Sequence, residues 1–154
     1  IYGDGYWSCP RRRQIYMTYE DIKESIKLHE GYRLETYYCT ENHLTGGYGH
    51  KMLDGESIPS DEAGWSKLFD KDFKIALKGA QGLIEENMVS PKAFGILIEM
   101  VYQLGVYGVS KFKKMLIALD SKDYQTASIE MLDSKWAKQT PNRAEDLSSR
   151  MRNI

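Results

Sequence analysis

One stretch of this chain has no polar face. From Ala93 to Leu104 the residues Phe94, Ile96, Leu97, Ile98, Met100 and Val101 cover a helix on all sides. Such a helix has to be surrounded by other elements, so it predicts the buried centre of a helical lobe. Ser90-Pro91 starts it as an N-cap followed by proline at the first helical position, and Gly105 stops it. Nearly everything after residue 58 reads as helix. A long helix starts at Pro59-Ser60 with Asp61 and Glu62 in its first turn, and its apolar positions Trp65, Leu68, Phe69, Phe73, Ala76 and Leu77 follow a helical period. Ser110 opens another helix, Asp123 one running to about Trp136, and Thr140-Pro141 the last.

The contrasting region lies earlier. Thr18 reads as an N-cap with Glu20 and Asp21 in the favourable first turn, and Ile22, Ile26 and Glu30 are spaced by four along one apolar face. Gly31 is a natural helix stop. Leu34 to Tyr38 is a strand, Thr40 to His43 a turn, and Leu44 to His50 a partner strand studded with Gly46, Gly47 and Gly49. These glycines remove side chains where a ligand or another backbone approaches closely. The pattern predicts an α+β chain: an arm over residues 1–17, then one domain over 18–154. Its small β-lobe, about 32–58, is joined to a larger helical lobe by the long helix.

Totals exclude several function classes. At 154 residues with 42% hydrophobic and 28% charged content, the chain is an ordinary globular protein with a core of its own. A net charge of −1 lacks the positive field of a nucleic-acid binder, and Arg11-Arg12-Arg13 reads as part of a solvated arm. No apolar run approaches the roughly 18 residues of a membrane span. The chain starts at Ile1 rather than Met, consistent with a processed product or a domain excised from something longer. Cys9 and Cys39 are too few for a disulfide scaffold.

The strand–turn–strand folds three side chains back towards each other: Glu30 at the helix end, Cys39 and Thr45. A carboxylic acid facing a small group that holds a water is what cleavage of a glycosidic bond needs; the plain alternative is a solvated hairpin beside a helix-end glutamate. Partial burial and the negative helix end disfavour an ionised Glu30 and so predict a raised pKa, the condition for a general acid. Arg143 stands in the first turn of the last helix, where a cation opposes the dipole. Simple solvation accounts for it, and so does a carboxylate partner, for which Glu30 is a candidate. A metal site from Cys39, His43 and His50 lacks standard spacing.

Three blocks carry a resemblance: HEGYRLETYYCTENHLTGGYGH, MVYQLGVYGVSKF (Met100 to Phe112) and WAKQTPNRA (Trp136 to Ala144). In this order they closely resemble the phage-type lysozymes, glycoside hydrolases of the T4 lysozyme family, over roughly residues 18–150. The resemblance implies two lobes with bacterial peptidoglycan bound in the cleft between them, and no metal or organic cofactor. It makes Glu30 the catalytic acid, Thr45 the threonine beside the attacking water, and Arg143 the arginine paired with Glu30. It implies a structural His50–Asp72 ion pair, a buried Gln103–Trp136 hydrogen bond, and a β-lobe trimmed between His50 and Ile58.

Cys39 falls where many members carry an aspartate. A free thiol with a pKa near 8.5 is only a few per cent thiolate at pH 7. It either helps Thr45 position a water as the base of an inverting reaction, attacks the sugar directly with retention, or marks a weakened enzyme. The rival class is a non-hydrolytic peptidoglycan-binding or structural domain of a phage particle. The implied setting is a phage-encoded protein acting on the host wall or periplasm, free or as part of a larger phage protein. A Cys9–Cys39 disulfide tying the arm over the cleft is a regulatory option, against two unrelated thiols.

Overall fold

A computed structural model describes residues 18–154 of the chain. Cys9, the Arg11–Arg13 run and the rest of the expected arm lie outside them, and so does the Cys9–Cys39 bridge. Helix α1 (Tyr19–Glu30) starts at a capping box. The Thr18 hydroxyl accepts the Asp21 N–H at 3.2 Å, and the Asp21 carboxylate accepts the Thr18 N–H at 3.0 Å. Ile22 and Ile26 are buried one turn apart, and Gly31, at φ +72°, ends the helix immediately after Glu30.

Strands β1 (Arg33–Tyr38), β2 (Leu44–Gly47) and β3 (His50–Lys51) form one antiparallel sheet in that order, with Tyr37 opposite Thr45 and Gly46 opposite His50. The sequence reading expected a two-stranded hairpin with Leu44–His50 as one strand. The run instead folds back on itself, because Gly47 and Gly49 adopt φ of +57° and +73°, a turn conformation that leaves His50 on a third strand.

Helix α2 (Glu62–Leu83) begins later than Pro59-Ser60: Asp61 is its cap, not part of its first turn, and its carboxylate accepts the Gly64 N–H at 2.9 Å. Trp65, Phe69, Phe73, Ala76 and Ala80 form its buried stripe. Trp65 lies beneath the sheet and donates its indole N–H to Leu34 O at 2.9 Å. Gly46 and Gly47 sit directly on its ring, where a Cβ on either would collide. These glycines thus make room for a tryptophan; the close approach read from the sequence needs no ligand at either position.

After a short 3₁₀ turn (Glu86–Met88), helix α3 (Pro91–Ser110) runs through the larger lobe with every residue from Ala93 to Val101 buried. Burying a Leu, Ile, Phe or Met side chain there contributes roughly 1.5–3 kcal/mol. Gly105, at φ +78°, breaks the helix as expected, but the chain resumes helical turns to Ser110. By length and composition alone α3 is long and apolar enough to cross a membrane, contrary to the sequence reading. More than half of it is buried among the other helices, which also explains the composition of a core helix.

Helices α4 (Lys113–Asp120), α5 (Tyr124–Leu132), α6 (Lys135–Gln139) and α7 (Pro141–Arg152) close the lobe around Met115, Leu119, Met131, Leu147 and Met151. Two sequence boundaries shift. Ser110 ends α3 and bonds back to Tyr107 O rather than capping α4, and the helix capped by Asp123 stops at Leu132 because Ser134 caps a separate α6. The fold is α+β and mostly helical: a small sheet lobe and a large helical lobe linked by α2.

Candidate active site

Glu30 is presented at the last position of α1. Its Oε1 accepts a hydrogen bond from Arg143 Nη1 at 2.7 Å, across 113 residues of chain. Both side chains are largely buried, so the contact is a charge-assisted bond in a poorly solvated place. Oε2 lies over Gly49, where any Cβ would strike it. The turn between β2 and β3 and the first turn of α7 therefore grip the carboxyl group from two sides. The cation opposing the dipole of α7 has its anion.

The other two expected site residues come together at the far end of β2. Thr45 is buried, and its hydroxyl donates to His43 O at 2.9 Å. Cys39 follows β1, its N–H bonded to His43 O at 2.9 Å and its carbonyl accepting the Asn42 N–H at 2.8 Å. Asn42 takes φ +62° to close this turn. The thiol lies below its usual range, chiefly through hydrogen bonding to the His43 backbone; slight burial opposes this, while the Glu41 backbone, the Thr45 hydroxyl and the Lys51 charge assist it. Cys39 is thus a richer source of thiolate than the ordinary free thiol assumed from the sequence.

His50 Nδ1 lies 2.6 Å from Asp72 Oδ2 on α2, and its Nε2 lies 2.7 Å from Glu56 Oε1. Glu56 has no counterpart in the sequence reading. The Asp72 hydrogen bond raises the His50 pKa to about 9; burial works against it, and Glu56 adds to it. Burial pushes the Glu56 carboxyl up, but the His50 hydrogen bond and the Leu53 N–H outweigh this and hold it below its usual range. Both ring nitrogens are occupied, so the option of a metal on Cys39, His43 and His50 has no geometry behind it. Trp136 donates to Gln103 Oε1 at 2.8 Å, and the Gln103 amide reaches Thr140 at 3.4 Å.

Two residues of α3 reach the surroundings of Glu30, one through the turn that carries Gly49 and one through Arg143. Tyr102 on α3 donates its hydroxyl to Tyr48 O at 2.6 Å, fixing the turn that carries Gly49; burial holds that hydroxyl well above its ordinary range, keeping it a donor. Glu99, also on α3, is 2% exposed. Its carboxylate bonds to the ring of His29 and accepts from Ser25 at 2.9 Å. The signals were present in the sequence: Glu99 is the single charge in the apolar stretch from Ala93 to Leu104, and His29 directly precedes Glu30.

The phage lysozyme family model matches residues 27–153. A probable T4-type lysozyme 2 of Dictyostelium discoideum is 33% identical, covering 80% of this chain and 88% of that protein. The pre-baseplate central spike protein Gp5 of Enterobacteria phage T4 is 29% identical over 80% of this chain but only 26% of the spike protein. The peptidoglycan hydrolase gp36 of Pseudomonas phage phiKMV is 27% identical over 84% of this chain and 15% of its own length. With a helix-end glutamate bound to an arginine beside a glycine-rich sheet, and with matches of this extent, the chain belongs to the phage lysozyme family.

Proposed function

We propose that residues 18–154 form a muramidase that cleaves the β-1,4 bond between N-acetylmuramic acid and N-acetylglucosamine in bacterial peptidoglycan. Membership of the lysozyme family makes the chain a glycoside hydrolase; the bond and the roles of individual residues are our reading. Glu30 protonates the leaving oxygen. A water held by Thr45 and Cys39 attacks the anomeric carbon from the opposite face and gives its proton to the Cys39 thiolate. The geometry at Glu30 carries this reading: Arg143 and the Gly49 turn orient a carboxyl group that nothing in the packing of the core requires. No metal takes part in these steps.

The reading is tested by turbidity clearing of purified peptidoglycan. Wild-type protein clears it, and Glu30→Gln loses activity by about two orders of magnitude or more, the size of a general-acid contribution. Equal clearing by the two would overturn the assignment. The anomer first released, followed by NMR, distinguishes water attack with inversion from direct attack by Cys39 with retention.

The phage spike relative keeps a second setting in view: a wall-binding or structural part of a particle, in which case neither protein clears the wall. We infer a phage-derived origin and action on the cell wall. The Dictyostelium relatives show that membership of the family does not by itself assign this chain to a phage genome.

A further inference from the structure

Glu99 belongs to neither the fold's hydrophobic logic nor the reaction as drawn above. It interrupts a helix whose neighbours Phe94, Ile96, Leu97, Ile98, Met100 and Val101 are all buried, and it is buried with them. A carboxylate in such a place costs several kcal/mol unless cations and hydrogen bonds surround it. They do. Ser25 and His29 come from α1, and Arg143 Nη2 and Arg150 Nη1 approach from α7 at 3.7 and 3.9 Å. Asp146 is the remaining charge, 2.9 Å from His29 Nε2 and 2.5 Å from Arg150 Nη2.

The distribution at Arg143 is uneven. One nitrogen, Nη1, is committed to Glu30, while the buried Nε and Nη2 have no hydrogen-bond partner among the described residues. The guanidinium therefore lies between two carboxylates, bonded to one and turned at longer range towards the other. Its charge always remains. Without a second anion, all of that charge would bear on Glu30 and favour its ionised form. A general acid has to carry its proton when the substrate arrives.

We propose that Glu99 is a positioning residue for the hydrolytic reaction: by sharing Arg143 with Glu30, it orients the guanidinium and limits its hold on the acid. This rests on Glu30 being the proton donor. Glu99 touches no substrate, so its effect falls on turnover and on the pH profile and leaves KM unchanged.

The test measures peptidoglycan hydrolysis between pH 5 and 9, with thermal melting, for wild type, Glu99→Asp, Glu99→Gln, Asp146→Asn and Glu30→Gln. The alkaline fall in turnover, where the acid loses its proton, should come earliest in Glu99→Gln, by roughly half a pH unit or more. It should move less in Glu99→Asp, whose charge is kept but drawn back by one methylene. Asp146→Asn removes a partner of His29 and Arg150, so it lowers melting without moving the fall. Should Glu99→Gln not fold, the Glu99→Asp shift carries the test alone. Any folded Glu99 variant with a wild-type profile overturns the proposal, however far its melting temperature drops. Full activity of Glu30→Gln would instead overturn the functional reading beneath it.

Discussion

The two lobes solve the same problem with different chemistry. Each buries a polar cluster where elements distant in sequence meet. In the sheet lobe the cluster is an imidazole between two acids, His50 with Asp72 and Glu56, joining β3 to α2 and the loop before it. In the helical lobe it is a buried carboxylate, Glu99, ringed by Ser25, His29, Arg143 and Arg150, joining α1, α3 and α7. The first depends on one imidazole proton that can leave; the second adds to its histidine two guanidiniums, at 3.7 and 3.9 Å, which keep their charge at any physiological pH. The sheet lobe should therefore be where alkali loosens the molecule. The helical lobe offers the acid a cationic partner that does not titrate.

The largest effect that would test this division is at the glycines of β2. In Gly46→Ala the new Cβ would lie 2.6 Å from Trp65 Cζ2, with the Trp65 ring fully buried and tied to Leu34 O. Overpacking against a fixed ring should cost about 3 kcal/mol, read as a lowered denaturation midpoint. Gly49→Ala is the informative companion. Its Cβ meets the carboxyl end of the Glu30 side chain rather than a ring, so the positive φ costs about 1 kcal/mol in stability while turnover falls tenfold or more. If both variants lost stability and activity in the same proportion, the sheet would not divide into a packing end and a chemical end.

Those glycines also show what the sequence could and could not reveal. Three in four residues announced a close approach, but not to what: Trp65, nineteen positions from Gly46, is a long-range neighbour that no local pattern encodes. Positions with local causes were legible, as with the Thr18 capping box, Glu30 ahead of Gly31 and the core of α3. Boundaries failed at Ser110, which bonds back to Tyr107 O at the end of α3 instead of opening α4, and at Ser134, which caps a separate α6; either serine can bond locally at a helix start or a helix end, and only tertiary packing chooses. Arg143 was found through its conflict with the helix dipole. Glu99 offers an equal conflict, a charge on a helix without a polar face, but the apolar residues that cover every side of that helix announce only a core.

His50 supplies the middle effect. Its folded pKa of about 9 lies above the ordinary 6.5. Its charged clamp therefore contributes fully below pH 6.5 and is lost as pH rises through about 9, leaving Asp72 and Glu56 facing an uncharged ring. Allowing for the solvent that reaches both acids, unfolding free energy should drop by about 1–2 kcal/mol over that window. In His50→Asn the protein starts less stable, and this slope disappears. Denaturant titrations at pH 6 and pH 9.5 decide it. Parallel slopes for the two proteins would mean that alkali acts elsewhere and would remove the contrast between the lobes.

The smallest effect concerns a bond between the core helix and the turn beneath Glu30. Tyr102, on the core helix of the helical lobe, donates to Tyr48 O in the turn that carries Gly49 against Glu30. Tyr102→Phe keeps the ring and its contact with Phe69 but leaves that carbonyl without its donor, at a cost of about 1 kcal/mol. The turn is also held by the flanking strands, so the lobes stay together. What loosens is the surface that Glu30 Oε2 rests on. Turnover should fall severalfold with KM unchanged, while the melting temperature shifts by only a few degrees. A larger change in KM than in turnover would show that the hydroxyl serves substrate binding rather than the acid, and that the lobes are coupled through substrate instead of through this turn.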